Sequence, residues 1–312
     1  MNALGQSFGL GCWGLGSASY GNVDEAAARQ LIQCAVDEGI TFFDTAPLYG
    51  DGLSEERLGR YLPKGQTFKI ATKVGIVSDA RRIIKKNLDP KYIVDSVESS
   101  LRRLRTESVY LLQLHSPEFQ FESEELFETL GNLRESGKVR KIGISLKSPD
   151  LLPLHEKLFK WESYQYNCSI FDQRISVYKD SVQTKINSGI RMIARTPLNF
   201  GFLGNAAPDI DRLPENHHLR NWSSIQLHEW SERRLLVLQI LKDSSFSLLG
   251  AALRFPIDSG LASIIIPGAT NKEELLENLR SSESPLPPSI VQLLSNQVLS
   301  PTDVKSPYSV KS

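Results

Sequence analysis

Four residues with proton-handling side chains stand at or just beyond the ends of short apolar runs within the first 115 residues of the chain. Asp44 closes 40–44 (ITFFD), Tyr49 lies in the turn that follows, Lys73 closes 68–73, and His115 closes 108–115 (SVYLLQLH). A carboxylate beside a lysine holds the ammonium in place, and an ammonium beside a phenol lowers its pKa by favouring the phenolate. A tyrosine so placed can give a proton to an oxygen, and a histidine on the next element can hold that oxygen. This is equipment for donating a proton as a carbonyl is reduced. Singly, Asp44 reads as a turn cap, Lys73 as a surface charge and His115 as a hydrogen-bonded strand-end histidine; the joint pattern sets them apart. Ser145, Gln165 and Arg195 continue the same series of run ends further along.

Such residues meet only if the runs are neighbouring strands that end on one side. The apolar runs at 8–11, 40–44, 68–73, 108–115, 139–145, 163–168, 190–195 and 262–266 read as strands. Helical patterns separate them at 23–38, 54–62, 89–105, 124–136, 149–160, 175–187, 226–242 and 271–280. Gly39 and Gly137 follow two of these helices, Asp89-Pro90 opens another, and Ser54 reads as the cap of the second. Strand–helix alternation implies a parallel sheet covered by helices, and eight units over about 250 residues or more is the arithmetic of a (β/α)8 TIM barrel. The competing fold is an open doubly wound sheet, for which 9–14 (GLGCWG) matches G-x-G-x-x-G. That run continues into 15–20 (LGSASY) rather than into a helix, so its context is wrong and the barrel is favoured. We expect one barrel domain over 1–312, with a long irregular loop at about 199–225, a linker at 285–288 (PLPP) and a mobile tail at about 300–312.

Composition narrows the class. Among 312 residues, 36 Lys+Arg balance 36 Asp+Glu, which gives no global pull toward nucleic acid or an anionic membrane. The apolar runs at 235–241 and 264–267 fall far short of the ~20 residues of a membrane helix, and no secretory signal opens the chain. Cys12, Cys34 and Cys168 are too few and scattered for a disulfide framework. No histidine has metal-ligand spacing, and the pair His217-His218 reads as structural. The basic run 81–86 (RRIIKK) reads as a solvated loop rather than a phosphate site. These readings describe a soluble, cytoplasmic protein with a small-molecule substrate, no metal, and no nucleic-acid or membrane partner; they leave the oligomeric state open.

The motifs at 39–61 (GITFFDTAPLYGDGLSEERLGRY), 71–75 (ATKVG), 111–117 (LLQLHSP), 141–145 (KIGIS), 170–174 (IFDQR), 194–198 (ARTPL), 202–204 (FLG) and 266–278 (IPGATNKEELLEN) resemble those of the aldo-keto reductases. The resemblance implies a (β/α)8 barrel, a nicotinamide cofactor, and a catalytic tetrad of Asp44, Tyr49, Lys73 and His115. Tyr49 would act as general acid on an aldehyde or ketone, tuned by Lys73 and Asp44, with His115 orienting the substrate oxygen. The cofactor would lie along Trp13, Ser145, Gln165 and Arg195 at its nicotinamide end, Leu198 and Gly201 beside the pyrophosphate, and Gly268, Thr270, Asn271, Glu274, Glu277 and Asn278 around the adenosine. The chain departs from the family where Leu146 follows Ser145 in place of an asparagine, and where Cys168 and Ser169 replace a Tyr-Asn pair. The family favours NADP(H) over NAD(H), although Glu274 stands where Arg or Gln is common and only Lys272 is near to supply charge. Alternatives of the same fold are a sugar (aldose) dehydrogenase running toward oxidation and a cofactor-binding regulatory subunit like the β subunit of voltage-gated potassium channels. Specificity would lie in the loops 13–22, 76–88, 118–122 and 199–225, with Trp13, Tyr20, Leu48 and Phe200 as candidate apolar walls.

Overall fold

A computed structural model describes residues 5–16, 23–78, 84–117, 123–215 and 217–297. Eight parallel strands follow one another around a barrel: β1 Leu10–Gly11, β2 Phe42–Asp44, β3 Lys69–Val74, β4 Val109–His115, β5 Val139–Ser145, β6 Ser163–Asn167, β7 Arg191–Arg195 and β8 Ile264–Ile266. Parallel strands are covered on both faces, which is why they read as nearly unbroken apolar runs. Phe42, Ala71, Leu111, Ile193, Ile264 and Ile266 fill the barrel interior, while a larger apolar layer lies between the strands and the surrounding helices.

The barrel closes where the glycine run sits. Gly9 N–H donates to Ile265 O and Gly11 N–H to Pro267 O, both at 2.9 Å. A Cβ at Gly11 would stand 2.7 Å from Ile266 O. These glycines therefore let β1 and β8 approach, and the run that resembled a phosphate loop is a seam of the barrel.

The helices begin much as their caps dictate. Asp24 caps α1 (Glu25–Asp37), Asp89 caps α3 (Pro90–Leu104) and Ser123 caps α4 (Glu124–Glu135), each side chain accepting a backbone N–H of the first turn. In α2 (Leu53–Tyr61) the cap is Gly52 at φ 95°, not the expected Ser54, which is buried inside the helix. The expected helix at 149–160 shrinks to a 3-10 turn, Pro149–Leu151, and the single-turn α5, Leu152–His155. The helix expected at 175–187 begins as a 3-10 turn and becomes α6 only at Lys179–Asn187.

Beyond β7 the chain departs most from expectation. After 3-10 turns at Asn199–Gly201, Ile210–Arg212 and His218–Asn221 come α7 (Ser224–Leu241) and a helix the alternation did not reveal, α8 (Leu248–Asp258). Residues 248–256 are buried, so α8 has no polar stripe to betray its period, and Pro256 sits inside it. After α9 (Lys272–Ser281), the expected linker at 285–288 instead leads into α10 (Pro288–Gln297), with proline at the first helical position. Gln173 Nε2 donates to Leu294 O at 3.1 Å, tying α10 to the loop after β6. The 76–88 loop contains an antiparallel hairpin, Ile76–Ser78 with Ile84–Lys86; Arg81 and Arg82 lie outside the described residues, as do Tyr20, 118–122 and the 300–312 tail. Among the described residues no helix is long and apolar enough to cross a membrane.

Candidate active site

The parallel register brings the strand-end residues together. Asp44 ends β2, Lys73 lies near the end of β3 opposite Gln113, and His115 ends β4 opposite Ser145. Tyr49 is carried by the turn after β2, and this turn is anchored on three sides. Thr45 N–H donates to Ala71 O, and its hydroxyl donates to Ser54 Oγ, which donates to Cys12 O. A Cβ on Gly50, at φ 67°, would lie 1.8 Å from Gly16 O, so only glycine lets the turn seat against the loop that follows β1.

Lys73 Nζ is the hub. It donates to Asp44 Oδ1 at 2.5 Å, to Thr45 O at 2.9 Å and to Tyr49 OH at 3.1 Å, and it sits 4.8 Å from the centre of the Tyr49 ring. The ammonium is 1% exposed. Burial works against its charge, but Asp44 and Tyr49 outweigh this and its pKa is raised. The phenol does not follow the simple expectation. Burial pushes the Tyr49 pKa up, Asp44 adds to the rise, and Lys73 and Arg195 only moderate it. The net shift is upward, so Tyr49 keeps its proton above the ordinary tyrosine range. His115 meets the Tyr49 ring edge-on, with centroids 6.4 Å apart. Burial and then the cations Lys73, Arg195 and Lys86 hold His115 well below the usual histidine pKa, so it is neutral and can still donate one hydrogen bond.

Asp44 and Tyr49 open onto a cavity of about 420 Å³ that extends between the loops after β7 and β8. Of the residues expected along a cofactor, Trp13, Gln165, Arg195, Leu198, Gly201, Gly268, Thr270, Glu274, Glu277 and Asn278 line it. Ser145 and Asn271 do not. The Ser145 hydroxyl, behind the wall, donates to Gln165 Oε1 and accepts from Arg195 Nη1, both at 3.1 Å. Asn271 caps α9 by accepting Glu274 N–H at 2.9 Å. Leu146, at the family's asparagine position, is buried, and its carbonyl accepts from Arg195 Nη2 at 2.8 Å. Lys272 does not turn into this cavity; it faces Glu273 and a separate surface cleft between α1 and α9.

The wall after β7 is tightly wound. Thr196, Asn199 and Phe200 all have positive φ, and Arg234 fastens the loop by donating to Phe202 O, Gly204 O and Asn205 O. Asn205 Nδ2 donates to Glu277, joining this loop to α9. Near Tyr49 the wall is aromatic: Trp13 lies 6.4 Å from the Tyr49 ring and 5.5 Å from His218, which in turn lies 5.1 Å from Phe200.

Gln113 escaped the reading of strand ends because it precedes His115 by two residues. Its signal is the alternation of β4, which turns Gln113 and His115 to the same face.

The arrangement offers a buried lysine on a phenol, a neutral histidine beside it, and a cavity of about 420 Å³ that the phenol lines. A sequence model of the Aldo/keto reductase family matches residues 7–296. The chain is 29% identical to "Probable aldo-keto reductase 1" of Glycine max over 87% of this chain and 79% of that one. It is 28% identical to "Aldo-keto reductase yakc [NADP(+)]" of Schizosaccharomyces pombe over 87% of this chain and 82% of that one. The holo form of aldo-keto reductase AKR11C1 from Bacillus halodurans superimposes with a TM-score of 0.77 at 27% identity, covering 93% of this chain and 91% of that one. The chain belongs to the aldo/keto reductase family, oxidoreductases that interconvert carbonyls and alcohols on a (β/α)8 barrel.

Proposed function

We propose that the protein reduces an aldehyde or ketone with NADP(H), and that Tyr49 is the general acid. The observation that carries this reading is the contact of Lys73 Nζ with both Asp44 Oδ1 at 2.5 Å and Tyr49 OH at 3.1 Å, beside the cavity that Asp44 and Tyr49 line. When bound, a nicotinamide cofactor supplies the hydride. The residues present fit such a group. Arg195 offers a planar cation beside Tyr49, Leu198 and Gly201 a close backbone wall, and Thr270 and Asn278 a polar end, where the Glu274 carboxylate takes the Thr270 donors.

The chain's own part is the oxygen end of the reaction. Neutral His115 donates a hydrogen bond to the carbonyl oxygen and so fixes where negative charge develops. Tyr49 gives its proton to that oxygen, and the resulting phenolate is met by the Lys73 ammonium. Asp44 keeps the ammonium charged and in place in a site where water cannot. With its pKa raised, Tyr49 holds its proton at neutral pH, the state from which reduction starts.

NADP(H) is the cofactor carried by the name of the Schizosaccharomyces pombe relative. In this chain Glu274 lines the phosphate end of the cavity, so its margin over NAD(H) is modest. Following NADPH absorbance with a panel of aldehydes and ketones tests the proposal. Turnover is expected on at least one class, and binding without turnover on any would point to a cofactor-binding regulator instead.

A further inference from the structure

Asp44 is held more elaborately than an ion pair with Lys73 requires. Its Oδ1 accepts from Lys73 at 2.5 Å, while its Oδ2 accepts two primary amides, Gln113 Nε2 at 3.1 Å and Gln165 Nε2 at 2.7 Å. The donors come from β3, β4 and β6, so a carboxylate from β2 is gripped from across the barrel. Gln165 has a second partner, the Ser145 hydroxyl, for its Oε1. Gln113 has none: it is fully buried, and its Oε1 finds no hydrogen-bond partner among the described residues. A buried amide that is satisfied on one side only works against stability, and an apolar side chain of its size would avoid that loss. Leu111, two residues earlier on the same face of β4, is such a side chain. Apolar packing therefore does not account for Gln113, whereas its hydrogen bond to the buried Asp44 carboxylate does.

We infer that Gln113 is a positioning residue for the proposed reaction: with Gln165 it saturates Asp44 Oδ2, so that the carboxylate presents Oδ1 to Lys73 and the ammonium stays turned toward Tyr49. This rests on the reading of Tyr49 as proton donor. The charged and titratable groups around the phenol are Asp44 from β2, Lys73 from β3, His115 from β4 and Arg195 from β7, with Cys12 beyond β1 facing Asp44 and Lys73. His115 is neutral, and burial keeps Cys12 a thiol, so the balance at Tyr49 is set by two cations against one carboxylate. Two amide N–H dipoles aimed at that carboxylate reduce what it takes from Lys73. Removing one lets Asp44 claim the ammonium more completely and leaves the phenolate less stabilised.

The test is Gln113→Met, with Gln113→Leu as a second variant, each removing both the donor and the unpartnered oxygen. In the oxidation direction the alkaline rise of kcat is expected to move up by about one pH unit, with kcat near pH 8 falling about tenfold. KM and the NADP(H) Kd from fluorescence quenching should stay within about twofold, and both variants should fold, with Tm lowered no further than the loss of one hydrogen bond to a buried carboxylate requires. An unchanged pH limb and kcat would overturn the inference. A change confined to KM or Kd, or the loss of folding in both variants, would overturn it equally, because each assigns the amide to pocket shape or stability. Tyr49→Phe run in parallel separates the two levels. If it retains wild-type activity, the proton-donor reading fails; if it is inactive while Gln113→Met keeps the wild-type limb, this inference alone fails.

Discussion

If the cavity takes the 2′-phosphate of NADP(H) as proposed, replacing Glu274 by arginine should tighten its hold. Glu274 lies in the first turn of α9, and its carboxylate accepts Thr270 N–H at 2.8 Å and the Thr270 hydroxyl at 3.0 Å. Thus the carboxylate occupies the donors of the residue best placed to meet a phosphate, and it adds a repelling charge at the cavity wall. The variant frees Thr270 and reverses one charge by two units. A unit charge about 4 Å from another is worth about 1 kcal/mol in water, and salt screens part of it. The net gain should be about 1–2 kcal/mol, or about 5- to 30-fold in the NADP(H) Kd. NAD(H), which lacks the 2′-phosphate, should change little. The loss of the Glu274–Thr270 contact should lower stability by about 0.5–1 kcal/mol. Titration of both cofactors by fluorescence quenching, against wild type and variant, reads each of these numbers. An unchanged NADP(H) Kd in Glu274→Arg would show that this side chain does not face the phosphate. A wild type that binds NAD(H) more tightly would reverse the proposed preference.

Lys73→Met should lower kcat by orders of magnitude and leave Asp44 buried without its counter-ion, at about 3–5 kcal/mol of stability; a variant with wild-type rate and Tm would dissolve the proposed coupling. The pH dependence should differ by direction. Because the Tyr49 pKa is raised above its ordinary value, 10.0, the phenol stays protonated through neutral pH. Reduction should therefore be flat there, while oxidation, which needs the phenolate, should climb with pH. Because the His115 pKa lies well below 6.5, any effect of its protonation on reduction should appear only on the acid side of that value. Steady-state kcat in both directions from pH 5 to 10 checks this, and parallel profiles for the two directions would contradict it.

The barrel was legible because its parallel strands are buried on both faces and so appear as apolar runs between amphipathic helices. The same logic hid α8, whose residues 248–256 are buried all round and which carries Pro256. It also overextended the helix expected at 149–160, where an apolar pattern is met by turns rather than by a continuous helix. In the site, Asp44, Lys73 and His115 were visible because strand ends converge in a barrel. Their electrostatics were not: the net direction of the Tyr49 shift depends on how deeply the ring is buried, and pairwise reasoning from Lys73 alone points the wrong way. Ser54 looked like a helix cap on the strength of its type, whereas its hydroxyl braces the Tyr49 turn through Thr45 and Cys12. Lys272 could face either side of α9 by sequence, and the structure turns it away from the cavity.

On the proposed reading the Tyr49 hydroxyl supplies the proton. Tyr49→Phe removes that oxygen and leaves Lys73, Asp44, His115 and the cavity walls in place. Measured with NADPH and the best carbonyl substrate, kcat for the variant should fall by about 10²-fold or more, while the NADP(H) Kd stays within about twofold of wild type. Turnover at the wild-type rate by the purified, folded variant would contradict the account.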